Sequence, residues 1–145
     1  MKQIVFAPQH DGRTAIMRAL NELGEQRKNQ QAVMKLIRIR RRVEQAQRDF
    51  EEARIALVKR YAADDGQIPS GEPMEQFLRE YEELITQDVP EEVFAERIKL
   101  DELWYRGPNG EKVPIDVSEN TIDVLGELID MGEEPAAAEP APAGE

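Results

Sequence analysis

The chain has 145 residues, a formal net charge of -11 and no cysteine. Such a length suits one domain with a modest core, and the absence of cysteine excludes disulfides, thiolate metal ligands and thiol nucleophiles. The sequence has neither a stretch of about 18 apolar residues nor the hydrophobic region of a signal peptide, so we expect a soluble intracellular protein without membrane contact.

The first predicted helix starts after Asp11 or Thr14 and stops near Gly24, because an apolar face recurs there at helical spacing. That face consists of Ile16, Ala19, Leu20 and Leu23.

A much longer helix is predicted over about 27–61. Apolar residues recur there every seven positions, at Leu36, Val43, Phe50 and Leu57, and again three residues later, at Ile39, Ala46 and Ala53. This spacing is the a/d seam of a coiled coil. A helix of this length spans about 50 Å, more than a compact domain needs. We therefore expect an extended antiparallel helical hairpin or a bundle shared between subunits, which makes a homo-oligomer a candidate state.

Turn-forming residues separate the long helix from a predicted partner helix over about 73–86. We expect this second helix to pack antiparallel on the long one through an apolar stripe. The stripe consists of Met74, Phe77, Leu78, Tyr81, Leu84 and Ile85.

The remaining elements are a small β-hairpin over about 97–117, with its turn at 108–110, and a last helix over about 119–131. Ser118 is the predicted cap of that helix, and its inward-facing residues are Ile122, Leu125 and Ile129. The fold class is thus mainly α, with a single domain over 1–131. The acidic Pro/Ala-rich tail, 132–145, has no large apolar residue to bury, and we expect it to be disordered.

One segment of this acidic chain is strongly basic. Residues 26–42 hold seven bases and no acid, and "KLIRIRRR" spans 35–42. On the heptad frame none of its cations occupies the apolar seam. The candidate interaction residues of this segment are Lys28, Lys35, Arg38, Arg40, Arg41 and Arg42.

Three interpretations of these cations are open. The favoured one is a solvated face paired with acids of neighbouring helices and with acids one helical turn away. In the second, the acidic helix 74–85 or the acidic tail of another copy occupies the patch. The third is a helix that tracks phosphates, which requires several cations free of acidic partners.

Catalytic chemistry has almost no candidates in this sequence. The single histidine, His10, stands beside Asp11 in a polar stretch and is interpreted as a surface loop residue. The sequence "DDGQIPSGE" lacks the alternating oxygen ligands of a calcium loop. We predict no catalytic residue, no metal site and no cofactor.

Trp104 and Tyr105 are adjacent aromatic residues beside the predicted turn. As an exposed pair they could anchor a partner, because aromatic residues dominate binding hot spots. We favour a split pair, in which one ring caps the core and the other is half exposed. Both residues are candidate interaction residues.

Four segments in this order resemble a set of small uncharacterised helical proteins of tailed bacteriophages and prophages. They are "FEEARIALVKRYAADDGQIP" (50–69), "FLREYEELITQDV" (77–89), "IKLDEL" (98–103) and "VSENTIDVLGELID" (117–130). The chain departs from that pattern in "WYRGPNGEKVP" (104–114) and in its tail. The resemblance implies a phage origin, no assigned activity and an accessory role in virion or tail assembly.

The predicted function is therefore that of a non-enzymatic phage protein in the host cytoplasm or associated with the virion. Its expected partners are proteins: itself, another phage protein or a host protein. The alternative is a phage regulator that binds nucleic acid or the host transcription machinery through the basic helix.

Overall fold

The computed structural model describes residues 1–9 and 13–130. Within these ranges the α-helices are α1 (Ala15–Glu25), α2 (Gln30–Tyr61), α3 (Glu72–Ile85) and α4 (Glu119–Leu125). The strands are β1 (Ile98–Lys99), β2 (Trp104–Arg106), β3 (Lys112–Pro114) and β4 (Ile129–Asp130). The mainly helical class, the long helix and the small antiparallel hairpin are confirmed. The predictions for His10, Asp11 and the tail over 132–145 lie outside the described residues.

Helix α1 begins at Thr14, whose hydroxyl oxygen accepts a hydrogen bond from the amide nitrogen of Met17 at 3.4 Å. This bond satisfies one of the amides that the first turn of a helix leaves without a partner. The buried residues of α1 are those of the predicted apolar face: Ile16, Ala19, Leu20 and Leu23.

Helix α2 begins three residues later than the sequence predicts, because Asn29 caps it. The Asn29 side-chain oxygen accepts from the amide nitrogen of Ala32 at 2.9 Å. Lys28 therefore precedes the helix and has no heptad position. The seam is buried at Ala32, Leu36, Ile39, Val43, Ala46, Phe50 and Leu57. Ala53 is an exception, since it lies exposed along an open groove between α2 and α3.

Helix α3 packs on α2 with a narrower face than predicted. Tyr81, Leu84 and Ile85 lie partly buried against the core. Phe77 stacks on Tyr81, with ring centroids 5.8 Å apart. Leu78 was expected in the apolar stripe, but it is 54% exposed. The contacts of α3 with the core lie toward its C-terminal end, and Leu78 is not among them.

The hairpin is shorter than predicted. Strands β2 and β3 pair Trp104 with Pro114 and Arg106 with Lys112, and the turn lies between Gly107 and Gly110. Strand β1, at 98–99, is not part of this hairpin. It pairs in parallel with β4 at 129–130, a contact between distant parts of the chain.

The last helix also ends earlier than predicted, at Leu125. Gly126 has a φ of +50°, a left-handed conformation that glycine adopts with little strain and that ends the helix. A short 3-10 turn and β4 follow, so Ile129 reaches the core from a strand. Ile122 was expected to face the core, but it is only half-buried. The neighbouring Thr121 is buried instead.

The core lies where the N-terminal segment meets the middle of α2. The rings of Phe6 and Phe50 have centroids 6.1 Å apart and both are buried. Backbone hydrogen bonds of 2.8 Å join Gln3 to Gln87 and Val89 to Met1. The segment that follows α3 is thereby fixed beside the core, and it carries acidic residues toward the basic part of α2.

Candidate functional site

A cleft of about 580 Å³ opens between the first turns of α2 and the segment 99–104. It brings together three of the predicted interaction residues, Lys35, Arg38 and Trp104. The other residues that line it are Asn29, Gln30, Gln31, Ala32, Met34, Lys99, Asp101 and Glu102.

Asn29 fixes the geometry of this cleft. Besides capping α2, its side-chain nitrogen donates to the backbone carbonyl oxygens of Glu102 at 2.9 Å and Trp104 at 3.0 Å. Its backbone amide also donates to the carbonyl of Trp104 at 2.8 Å. One side chain therefore holds the start of the hairpin against the start of the long helix.

Four of the six predicted cations in the basic segment pair with carboxylates of the same chain. Lys35 contacts Glu102 at 2.8 Å, and Arg40 contacts Glu44, one helical turn away, at 3.2 Å. Arg38 donates two bonds of 2.9 Å to Glu96, and Arg42 donates a third of 2.8 Å. Glu96 and Glu102 lie in the segment after α3, whereas one open interpretation placed the acidic helix 74–85 on this face.

Glu96 is the most perturbed carboxylate of the described residues. Hydrogen bonds from Arg38 and Arg42 lower its pKa from 4.5 to about 2, and the charges of the two guanidinium groups act in the same direction. The hydrogen bond to Glu96 in turn raises the pKa of Arg38. Charge-assisted bonds of this kind are stronger than neutral ones. Glu96 thus links the outer face of α2 to the segment that follows α3.

The other two cations differ from each other. Lys28 donates to the backbone carbonyl oxygens of Gly24 and Gln26, and burial lowers its pKa. Arg41 is exposed and makes no ion pair with any described residue. Within the described part of the chain, the free positive charge of "KLIRIRRR" is therefore reduced to one side chain.

Sequence reasoning missed an exposed apolar patch on the same helix. Val33, Met34 and Ile37 are 37%, 49% and 38% exposed and lie within little more than one helical turn. Met34 also lines the cleft. The signal was available, because all three residues fall outside the a/d seam on the heptad frame. We call these three residues the apolar patch.

The two aromatic residues of β2 face opposite sides of the hairpin. Tyr105 packs against the core, with the Arg27 guanidinium 5.3 Å from its ring centroid. Trp104 is half-buried on the other side, with Arg106 and Lys112 5.0 Å and 4.6 Å from its ring centroid. The geometry leaves Trp104, and not Tyr105, at the cleft.

The described residues contain no cluster of three or more His, Cys, Asp or Glu side chains that could hold a metal ion. None of the helices in the described ranges combines the length and apolarity that crossing a membrane requires. Comparisons with protein-family models, curated proteins and solved structures found no match for this chain.

Proposed function

We propose that this chain is a non-enzymatic protein that acts by binding another protein at the N-terminal end of α2. The observation that carries the proposal is the apolar patch of Val33, Met34 and Ile37, which is exposed beside a cleft lined by Trp104. Apolar side chains grouped on a surface and next to an aromatic residue are typical of protein interfaces. The buried seam on the opposite side of α2 holds this surface rigid.

The ion pairs of the basic segment weaken the nucleic-acid alternative. A phosphate-binding helix requires several cations free to replace counterions. Lys35, Arg38, Arg40 and Arg42 are instead held by carboxylates of this chain. Phosphate binding would first have to break those ion pairs, and this cost would reduce the net affinity for nucleic acid.

A phage origin, and an accessory role in virion or tail assembly, is the setting that we propose for this binding. Support comes from the four segments that resemble small phage and prophage proteins, at 50–69, 77–89, 98–103 and 117–130. The protein would act in the host cytoplasm or as part of the virion. A partner could be a second copy, another phage protein or a host protein.

We also infer that α2 and α3 run antiparallel as an extended helical hairpin. Arg60, near the end of α2, contacts Glu80 in α3 at 2.6 Å. Phe50, earlier in α2, contacts Phe6. The segment that holds Phe6 bonds to Gln87, just after the end of α3. The chain therefore advances along α3 in the direction opposite to its advance along α2.

Site-directed photocrosslinking tests the proposed function. A photoreactive amino acid at Ile37 of the full chain, produced in bacteria that carry the corresponding phage or prophage, should yield an adduct with one protein. The matched control is the same amino acid at Asp64, which is also exposed and lies just past the end of α2, an end about 36 Å from Ile37 along the helix. Mass spectrometry identifies the partner, which is then purified for binding measurements.

Met34→Glu places a charge in the apolar patch and should weaken binding of the purified partner by about tenfold or more. An adduct with a second copy would assign the patch to self-association and would also support protein binding. The proposal fails if Ile37 gives no adduct beyond those at Asp64. It also fails if the protein binds random duplex at about 0.15 M salt and Arg41→Glu removes that binding.

A further inference from the structure

We propose that the acidic C-terminal segment of this chain, 131–145, binds the outward face of the hairpin at Trp104 and the adjoining rim of the cleft. The inference concerns the side of the cleft opposite the apolar patch; it shares Trp104 with the proposed interaction site but does not depend on the proposed function. Its basis is where the described chain ends, which cations there make no ion pair with a described residue, and the composition of the segment.

The described chain ends at the rim of the cleft. Asp130, the last described residue, pairs with Lys99 in the parallel contact of β4 with β1. Lys99 and Trp104 both line the cleft. Because the two strands are parallel, β4 leaves the pair on the side where the chain continues from Lys99 into the 3-10 turn Leu100–Glu102. The last described residue thus lies beside Lys99 at the rim of the cleft.

The outward face of the hairpin is cationic and aromatic. Side chains of a strand alternate between its two faces, so the register places Trp104, Arg106 and Lys112 on one face. Both cations lie over the indole ring, and neither makes an ion pair with a described residue. Lys99 at the rim has no ion pair with a described residue either.

The described acids near this surface form no ion pairs with its cations. Asp101 and Glu102 line the cleft, but Glu102 is bound to Lys35 at 2.8 Å. Glu111 is held in the hairpin turn, where its carboxylate accepts from the amide nitrogen of Asn109 at 3.0 Å. Lys99, Arg106 and Lys112 therefore make no ion pair with a described residue. In a chain with a formal net charge of -11, such a surface attracts acidic segments.

The segment 131–145 has the complementary chemistry. It contains four glutamates, three prolines and no lysine or arginine. Prolines favour an extended conformation that docks on aromatic surfaces at low cost in chain entropy. Pro135, the first of them, lies five residues after Asp130, so extended chain lets it reach about 17 Å from the end of β4. Trp104 would receive a proline and its flanking cations would receive the glutamates.

Fluorescence of the full chain tests this inference, because Trp104 is the single tryptophan. We expect acrylamide to quench the wild-type protein weakly at low salt. Changing the four tail glutamates, Glu133, Glu134, Glu139 and Glu145, to glutamine should raise the quenching constant about twofold, since the segment then leaves the ring. High salt should have the same effect on the wild-type protein.

A matched control changes the same number of charges elsewhere. Glu52, Glu75, Glu82 and Glu92 are exposed, and their replacement by glutamine should leave the quenching constant at the wild-type value. A charge swap provides a second test. Arg106→Glu with Lys112→Glu should raise the quenching, and changing the four tail glutamates to lysine in that background should lower it again.

Three results would overturn the proposal. The first is equal quenching of the wild-type protein and the tail variant at every salt concentration. The second is protection of Trp104 that disappears on dilution, which would assign the surface to the tail of a second copy. The third is protection that appears only after adding a polyglutamate peptide, which would assign it to an acidic segment of a partner.

Discussion

Glu96→Gln is the substitution that most directly tests how the basic segment is held. Glu96 accepts three hydrogen bonds of 2.8–2.9 Å, two from Arg38 and one from Arg42. Glutamine has nearly the same shape but no charge, and it presents an amide group to one of the guanidinium groups. The substitution therefore removes the charge with little change in packing.

The magnitude follows from the pKa of Glu96, which falls from 4.5 to about 2 in the folded protein. At about 1.4 kcal/mol for each factor of ten, this fall corresponds to an upper bound of about 3 kcal/mol. The side chains of Glu96 and Arg38 are 24% and 48% exposed, so water screens the pairs. We expect Glu96→Gln to lower the free energy of unfolding by about 1–2 kcal/mol at pH 7.

The loss of stability caused by Glu96→Gln should become smaller at acidic pH. A carboxyl group whose pKa is lowered by folding stabilises the protein above its unfolded pKa, near 4.5, and this contribution is lost as the pH falls toward about 2. The difference between wild type and Glu96→Gln should therefore be constant from pH 7 to about 5. It should shrink below pH 4.5 as Glu96 takes up a proton in the unfolded state.

Urea denaturation at a series of pH values measures this difference. Glu92→Gln is the matched control, because Glu92 lies in the 3-10 turn Glu91–Phe94 just before Glu96, is exposed and makes no ion pair with a described residue. The reasoning is refuted if the two variants are equally stable at pH 7. It is also refuted if Glu96→Gln remains as far below wild type at pH 3 as at pH 7.

Three further predictions concern stability and use urea denaturation at pH 7. Ile39→Ala, at a fully buried seam position, should cost about 2–4 kcal/mol, whereas Ile37→Ala on the exposed face should cost less than about 1 kcal/mol; equal costs would contradict the assignment of the two faces. Asn29→Ala removes the cap of α2 and the bonds to the hairpin and should cost about 2–3 kcal/mol. Asn29→Asp keeps the capping oxygen but places a carboxylate oxygen against the two carbonyl oxygens of the hairpin, so it should not restore wild-type stability. Gly110→Ala should destabilise the protein by about 1–2 kcal/mol, because Gly110 has a φ of +80°. Gly24→Ala in α1 should instead stabilise the protein by about 0.4–1 kcal/mol, because the added methyl group meets no atom within 4 Å. A stabilising Gly110→Ala would exclude the left-handed turn.

The helices were predictable because their signals are local. The seven-residue repeat around Leu36 and Val43 specifies a helix and its buried face, and both are present in the structure. Thr14, Asn29 and Ser118 cap helices through bonds that span three residues. Prediction was weaker at Leu78 and Ala53, where burial depends on which neighbour covers a position. The exposure of the apolar patch was predictable, because Val33, Met34 and Ile37 fall outside the a/d seam.

The sequence by itself determined that the chain is mainly helical, that α2 is long, and that the cations of "KLIRIRRR" lie outside its apolar seam. These properties depend on residues within a few positions of one another, where helix geometry relates spacing to direction. Only the tertiary structure decided which acids meet those cations. Glu96 and Glu102 lie 58 and 67 residues after Arg38 and Lys35, and packing of the N-terminal segment on the chain after α3 brings them to α2. The parallel contact of β1 with β4 was equally inaccessible, because a two-residue strand carries no pattern that identifies a partner about thirty positions away.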